Sequence, residues 1–296
     1  MSGVGVAIDY VSIAAIVDVQ LLTGGQLLSD QITPRDLDVD FATVPRRWLA
    51  NSAAATAISN GVNMLFPHGE RFFVRSVKHF LDRIDDPVLR AQIKGFFGQE
   101  GRHAHAHDEF NAILRAQGFE IDRFLATYKR LSDWLERRTP PKLNLAITAA
   151  AEHFTAIMAE GAFTQQLLDA CDPKMRELLA WHAAEEIEHK SVAFDVLQTV
   201  DPSYALRITG LVYATIMLGG FWVWAATSLL RQEGLTWRGA IRQLRAMPRR
   251  DPVVKRVFGR GIRQYLKRDF HPTQNDDRTL AAGWFAARGM QMPEAA

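Results

Sequence analysis

One cysteine, Cys171, in 296 residues leaves no partner for an internal disulfide. The fold therefore cannot rest on a covalent framework, and the chain fits a reducing compartment. Strand grammar is missing as well: no stretch alternates apolar and polar residues between turn signals, which argues against a sheet. The opening residues carry Asp9 and Asp18 and lack a basic start, so they do not read as a signal peptide. A cytoplasmic location, with or without membrane association, is the expectation. Net charge is small, +2, and the excess of positive charge is local. Between Arg231 and Arg268 the only acids are Glu233 and Asp251. That tract shows no recognised nucleic-acid-binding motif, so nucleic acid is not an expected partner. Charge is absent altogether from Ile208 to Leu230.

What is present is helical. With 48% apolar residues the chain can bury a large core. Residues 1–44, broken by Gly24-Gly25 and Pro34, show no period and read as an irregular or partly helical preamble. A helical bundle is expected over 45–203, an apolar helix over 204–231 and a basic helical tail over 232–296. Helical text runs from Arg46 to Asn60 and from Leu65 to Ile84, the second with Phe73, Val77, Phe80, Leu81 and Ile84 at helix spacing. Asp-Pro pairs at Asp86-Pro87, Asp172-Pro173, Asp201-Pro202 and Asp251-Pro252 mark four helix beginnings. Aspartate caps the first free amides there, and proline suits the first helical position. The helix from Pro87 should stop at Gly118. Further helices are predicted over Ile121 to Arg138, Lys142 to Ala170 and Pro173 to Val200.

The chemistry gathers between His182 and His189, which read His-Ala-Ala-Glu-Glu-Ile-Glu-His. On a helix, His182, Glu186 and His189 lie at roughly 0°, +40° and −20°, so their side chains leave from one narrow face. Glu100-Gly-Arg-His103 repeats half of this pattern, with His107 one turn further. Glu70, after Phe-Pro-His-Gly, and Glu152, within Ala-Ala-Ala-Glu-His-Phe, stand on two more helices. The order Glu, Glu-x-x-His, Glu, Glu-x-x-His is that of the dinuclear carboxylate site of ferritin-like bundles. Glu185 is an alternative to Glu186, and Glu160 an alternative or addition to Glu152. His107 reads as a group that orients carboxylates, and His68 as that or as a helix-surface residue. His105 and His153 read as ordinary, and Phe96, Phe97, Phe154 and Trp181 as core.

Carboxylates with imidazoles suit iron or manganese better than a thiolate set would. Two ferrous ions held there could each pass an electron to dioxygen. The same donors could instead lower the pKa of a bridging water for hydrolysis. Spacing alone does not separate the two.

Phe-Pro-His-Gly-Glu70, Gln-Glu100-Gly-Arg-His103 and His182-Ala-Ala-Glu-Glu186-Ile-Glu-His189-Lys resemble a bacterial family of predicted metal-dependent hydrolases, over roughly Val44 to Val200. The His-x-x-x-Glu-x-x-His run also resembles the p-aminobenzoate N-oxygenase group of di-iron enzymes. That second resemblance implies Glu70, Glu100, His103, Glu152, His182, Glu186 and His189 as metal ligands, with a bundle-based fold and oxygen chemistry.

The expectation is an all-α, ferritin-like bundle with extra C-terminal helices that holds two iron ions, manganese or zinc being alternatives. Glu100/His103 would bind mainly one ion and Glu186/His189 the other. One or two of Glu70, Glu152 and Glu186 would bridge, and His182 would be an added donor. The expected activity is oxidation of a small organic, lipophilic substrate by dioxygen with an electron donor, Glu186 and Glu100 carrying the catalysis. A dinuclear hydrolase using a metal-bound hydroxide, iron storage and a membrane-associated scaffold are the alternatives. By length, Ile208 to Leu230 could cross a bilayer. One crossing would, however, put the bundle and the Arg-rich tail on opposite sides. A buried helix, a homodimer-forming helix or a hairpin lying on a membrane avoids that conflict. Val253 to Arg268, apolar on one side and basic around the other, could bind anionic headgroups or pack on the bundle, and the end after Phe270 looks loosely held.

Overall fold

A computed structural model describes residues 32–165, 167–247 and 255–292. Most of the preamble, residues 1–31, and the Asp251-Pro252 helix start lie outside the described residues. Helices account for the regular structure, so the chain is an all-α helical bundle. Among the described residues the one β-type pairing is an isolated bridge between Leu49 and Cys171.

The chain runs through α1 (Ala53–Asn63), α2 (Phe66–Lys78), α3 (Pro87–Ala116), α4 (Asp122–Arg138), α5 (Pro141–Thr164) and α6 (Pro173–His189). It continues through α7 (Val192–Val200), α8 (Tyr204–Gln232), α9 (Trp237–Ala246), a π-helical turn (Lys255–Gly261), α10 (Ile262–Tyr265) and α11 (Arg278–Ala286). Asp86 and Asp172 cap α3 and α6 by accepting from the Val88 and Lys174 amides, with proline at the first helical position of each. Gly118, at φ 85°, follows the end of α3.

Several boundaries differ from the sequence-based expectation, each for a local reason. Helix α1 starts at Ala53 rather than Arg46 because the preceding backbone bonds elsewhere. The Ala50 amide donates to the Ala170 carbonyl and the Asp172 amide to the Trp48 carbonyl, while Ala50 and Asn51 both take φ 52°. The Leu65 to Ile84 helix ends at Lys78 and gives way to a 3₁₀ turn over Leu81–Arg83. Helix α5 ends at Thr164, with a separate 3₁₀ turn over Leu167–Ala170. The Pro173 to Val200 helix breaks after His189, where buried Lys190 reaches the Asn275 carbonyl and the Asp277 carboxylate. At Asp201-Pro202 the helix starts two residues late. Ser203 is the cap and accepts from the Leu206 amide, and Asp201 holds the Ser203 amide.

Helices α2, α3, α6 and α5 pack in a ring, each against the next, and this ring surrounds the site. Helix α8 lies outside it against α5 and α1. At Gly210 the α8 backbone comes so close to α5 that a side-chain carbon would collide with the Ala146 carbonyl. The basic segment after residue 254 packs on the bundle. Val257, Gly261 and Tyr265 are buried, and the π-helical turn lies against α5.

The end after Phe270 is docked, contrary to the expectation of a loose tail. Ala281 and Phe285 of α11 are fully buried against α6, and Arg288 pairs with Glu177 at 2.5 Å. Ala281, Phe285 and Arg288 carry this docking, too few to create a visible period in so short a segment.

The α5/α8 approach gives a direct test. Gly210→Ala should lower stability by about 1–3 kcal/mol through overpacking, read as a drop in thermal midpoint, whereas Gly220→Ala, which meets no neighbour within 4 Å, should raise or preserve it.

Candidate metal centre

Each helix of the ring supplies buried polar groups to its centre: Glu70 from α2, Glu100 and His103 from α3, Glu152 from α5, and His182, Glu186 and His189 from α6. None is more than 4% exposed. Helical spacing puts the α3 and α6 donors on inward faces, and the run Ala149-Ala150-Ala151 beside Glu152 lets α5 approach closely.

The donors fall into overlapping groups. His189 Nε2 lies 3.2 Å from Glu100 Oε1, 3.4 Å from Glu152 Oε2 and 3.6 Å from Glu186 Oε2. His182 Nε2 lies 2.8 Å from Glu186 Oε1 and 3.6 Å from Glu70 Oε1. His103 Nδ1 is 3.8 Å from Glu100 Oε1 and 3.9 Å from Glu186 Oε1. Donors about 2.1 Å from a shared cation stand about 3.0–3.4 Å apart, so several of these spacings suit ligands of one ion. Proximity joins Glu100 and Glu152 with His189, His103 and His182 with Glu186, and Glu70 with His107 and His182. The sequence expectation paired Glu100 with His103 and Glu186 with His189; those pairs stand 3.8 and 3.6 Å apart. Glu186 turns Oε1 to the His103/His182 group and Oε2 to His189.

These groups could hold metal because, apart from the His182 Nε2–Glu186 Oε1 hydrogen bond at 2.8 Å, their inward atoms have no hydrogen-bond partner. Both oxygens of Glu70, Glu100 and Glu152, Glu186 Oε2, His103 Nδ1 and His189 Nε2 are buried without a hydrogen-bond partner. Such atoms are costly in a folded interior unless a cation or a shared proton satisfies them.

The outward nitrogens of the three imidazoles are, by contrast, all bonded. Asn63 donates its amide to Asn111 and offers Oδ1 to His107 Nδ1 at 2.6 Å. His107 Nε2 is then the acceptor for His182 Nδ1, also at 2.6 Å, and His182 Nε2 turns inward onto Glu186 Oε1 at 2.8 Å. His189 Nδ1 donates to Gln99 Oε1 at 2.8 Å. Gln99 in turn donates to Glu188 Oε2 at 2.5 Å and to the Thr33 carbonyl at 3.2 Å. His103 Nε2 meets Glu185 Oε2 at 3.0 Å. Each ring is held in the tautomer and orientation that a metal ligand needs.

Behind this layer lies Arg35, from the preamble. Its amide and guanidinium bond Glu185 Oε1, and its guanidinium forks onto both oxygens of Glu188 at 2.7 and 2.9 Å. Phe285 of α11 stacks on its other face, 3.7 Å from ring centroid to guanidinium. Sequence reading missed Arg35 and Gln99. Gln99 stands next to Glu100, a signal that could have found it, whereas Arg35 lies in a segment with no period.

Of the alternatives, Glu185 faces Arg35 and His103 from outside the donor ring, and Glu160 forms a bidentate pair with Arg260 at 2.8 Å. His68 faces Asp133 and Tyr128. His105 is exposed beside Glu109, and His153 meets the Gly261 carbonyl. Phe96 and Trp181 are core residues that also pack edge-on to His189 and His103. Phe97 lies partly buried against the core and Phe154 within it.

Electrostatics of the metal-free chain follow from this crowding. Burial and neighbouring carboxylates push Glu70 and Glu100 well above the ordinary carboxyl range. Burial and Glu186 push Glu152 up to about 7, and burial pushes Glu185 up to about 8 against the pull of Arg35. Burial and then His182 depress His103 and His107. Burial opposes charge on His189 too, but Glu186 and the other carboxylates outweigh it and raise that imidazole.

A carboxyl raised in the folded state contributes stability that is lost as pH climbs toward its folded value. The chelated protein should therefore lose thermal stability as pH rises up to about 8, the fall being clearest above the ordinary histidine range. The metal-loaded protein should be flatter over the same window. Arg35→Ala should weaken metal binding by roughly 10–100-fold, read by competition with a chelator, with Arg35→Lys intermediate because it keeps the charge but loses the fork.

No curated protein and no solved structure matches the chain. The family described as predicted metal-dependent hydrolase matches residues 33–276, a span that contains the four-helix ring, Arg35 and α8. With its inward Glu and His groups inside that span, the chain belongs to the family of predicted metal-dependent hydrolases.

Proposed function

We propose that the chain holds two iron ions in a dinuclear carboxylate centre and uses them to oxidise a small lipophilic substrate with dioxygen. The observation that carries this reading is Glu186, whose Oε1 lies toward His182 and His103 and whose Oε2 lies toward His189. A carboxylate so divided can bridge a pair of cations. Glu70, Glu100, Glu152 and Glu186 would supply four negative charges, which balance two divalent ions, and the imidazoles would bind as neutral donors. When bound, ferrous iron would supply electrons to dioxygen, and anionic oxygen donors favour the ferric state that results.

Seven protein donors leave open positions on two six-coordinate ions, as dioxygen activation and hydrolysis both require. The residues around the donors exclude water. The Phe66 ring lies 4.6 Å from the rings of both His107 and His182, Trp181 backs His103 and Phe96 backs His189. This apolar wall suits a lipophilic substrate, with Phe66 closing the side nearest Glu70 and His182. The description of the family favours the second reading, a dinuclear hydrolase on the same ligands.

One preparation separates the two. Chain loaded anaerobically with ferrous iron should take up oxygen in the presence of a reductant. Glu186→Ala and His189→Ala should bind less iron and lose that uptake. Turnover of ester or amide substrates without air, supported by zinc or manganese, would assign the hydrolase instead, and full metal content in both variants would dismiss the centre.

A further inference from the structure

Helix α8 uses only part of its surface. It is long and apolar enough to cross a membrane, yet just 28% of its most apolar window is buried. One side packs on α5 and α1. The other carries Val212, Ile216 and Val223, exposed by 49%, 66% and 56%, with Trp224 beside them. From Val212 to Thr227 this outward stripe is about 22 Å long at 1.5 Å per residue, and it holds no charged side chain.

Helix α9 extends the stripe. The Trp237 Nε1 donates to Thr227 Oγ1 at 3.0 Å, which ties the start of α9 to the outward side of α8. Trp237, Ile241 and Leu244 follow i, i+4, i+7 spacing and are all exposed. Arg238, Arg242 and Arg245 repeat that spacing one position on, so a basic stripe borders the apolar one about 100° around the helix. The three arginines are exposed, and no acid occurs between Leu235 and Met247. A different face fixes α9 to the protein: Ala240 is buried, and Gln243 Oε1 accepts from the Ala54 amide at 3.1 Å.

We infer that the outward face of α8 and α9 docks on an anionic lipid bilayer, with the apolar stripe entering the headgroup boundary and Arg238, Arg242 and Arg245 meeting lipid phosphates. Charge selects this occupant over a second copy of the chain. A two-fold contact across α9 would bring an acid-free arginine row against itself, whereas anionic lipid complements it. Shape agrees, because a long convex ridge ending in tryptophan beside arginines is the pattern of helices that lie in a membrane interface. The bundle stays on one side of the bilayer, since the opposite face of α8 remains packed on α5.

Co-sedimentation of the full chain with vesicles tests this, using phosphatidylcholine alone and phosphatidylcholine mixed equally with phosphatidylglycerol. The expected result is binding to the mixed vesicles that weakens with added salt, and little binding to the neutral ones. Replacing Arg238, Arg242 and Arg245 by Gln should lower the partition coefficient on the order of 100-fold, about fivefold per arginine. Ile216→Glu with Ile241→Glu should abolish binding. Thermal midpoint and bound metal, both unchanged in these surface variants, verify the fold. Absence of binding to anionic vesicles overturns the inference, as does binding indifferent to lipid charge. A dimer in light scattering that Ile216→Glu and Ile241→Glu together dissociate, without vesicle binding, would give the face to a second copy.

Discussion

Four carboxylates and three imidazoles share an interior from which water is excluded, and that concentration of like charge is the constraint on which the bundle depends. Without a cation the site can only trade protons, which is why Glu70, Glu100 and Glu152 are pushed upward. A bare carboxylate pair in such a place would cost several kcal/mol. The inward atoms left without hydrogen bonds and the outward atoms fully bonded are two sides of one arrangement.

The outer layer makes the inner one specific. His103, His182 and His189 are each fixed by a different residue, Glu185, His107 and Gln99. Two of the three supports are joined through Arg35 and Glu188. Arg35 is held between the carboxylates of α6 and the Phe285 ring of α11. Segments that precede and follow the bundle by many residues thus meet behind the inward Glu and His groups. The Glu185 carboxyl, itself held by Arg35, fixes His103 from behind and so sets the orientation of that imidazole.

The two faces of α8 divide structure from exposure. Its inner face continues the core, where small residues such as Gly210 and Ala226 let helices approach to backbone distance. Its outer face is apolar too, yet Val212, Ile216 and Val223 on it stay exposed. Composition could not distinguish these faces, since the same types of residue occur on both.

Much of the centre was legible in the sequence because helical periodicity is local. His182, Glu186 and His189 share a face by spacing alone, as do Glu100 and His103, and Asp-Pro caps fixed where α3 and α6 begin. All-α architecture followed from the absence of any alternating pattern. Only the tertiary structure decided which donors lie together, that Glu186 turns Oε1 to the His103/His182 group and Oε2 to His189, and that Glu185 and Glu160 look elsewhere. It also decided that Arg35 and α11 stand behind the site. Those outcomes depend on how four helices rotate against one another and on contacts between residues as far apart as Arg35 and Glu188. Spacing along the chain sets the direction of a side chain from its own helix axis, but the axes themselves are placed by packing.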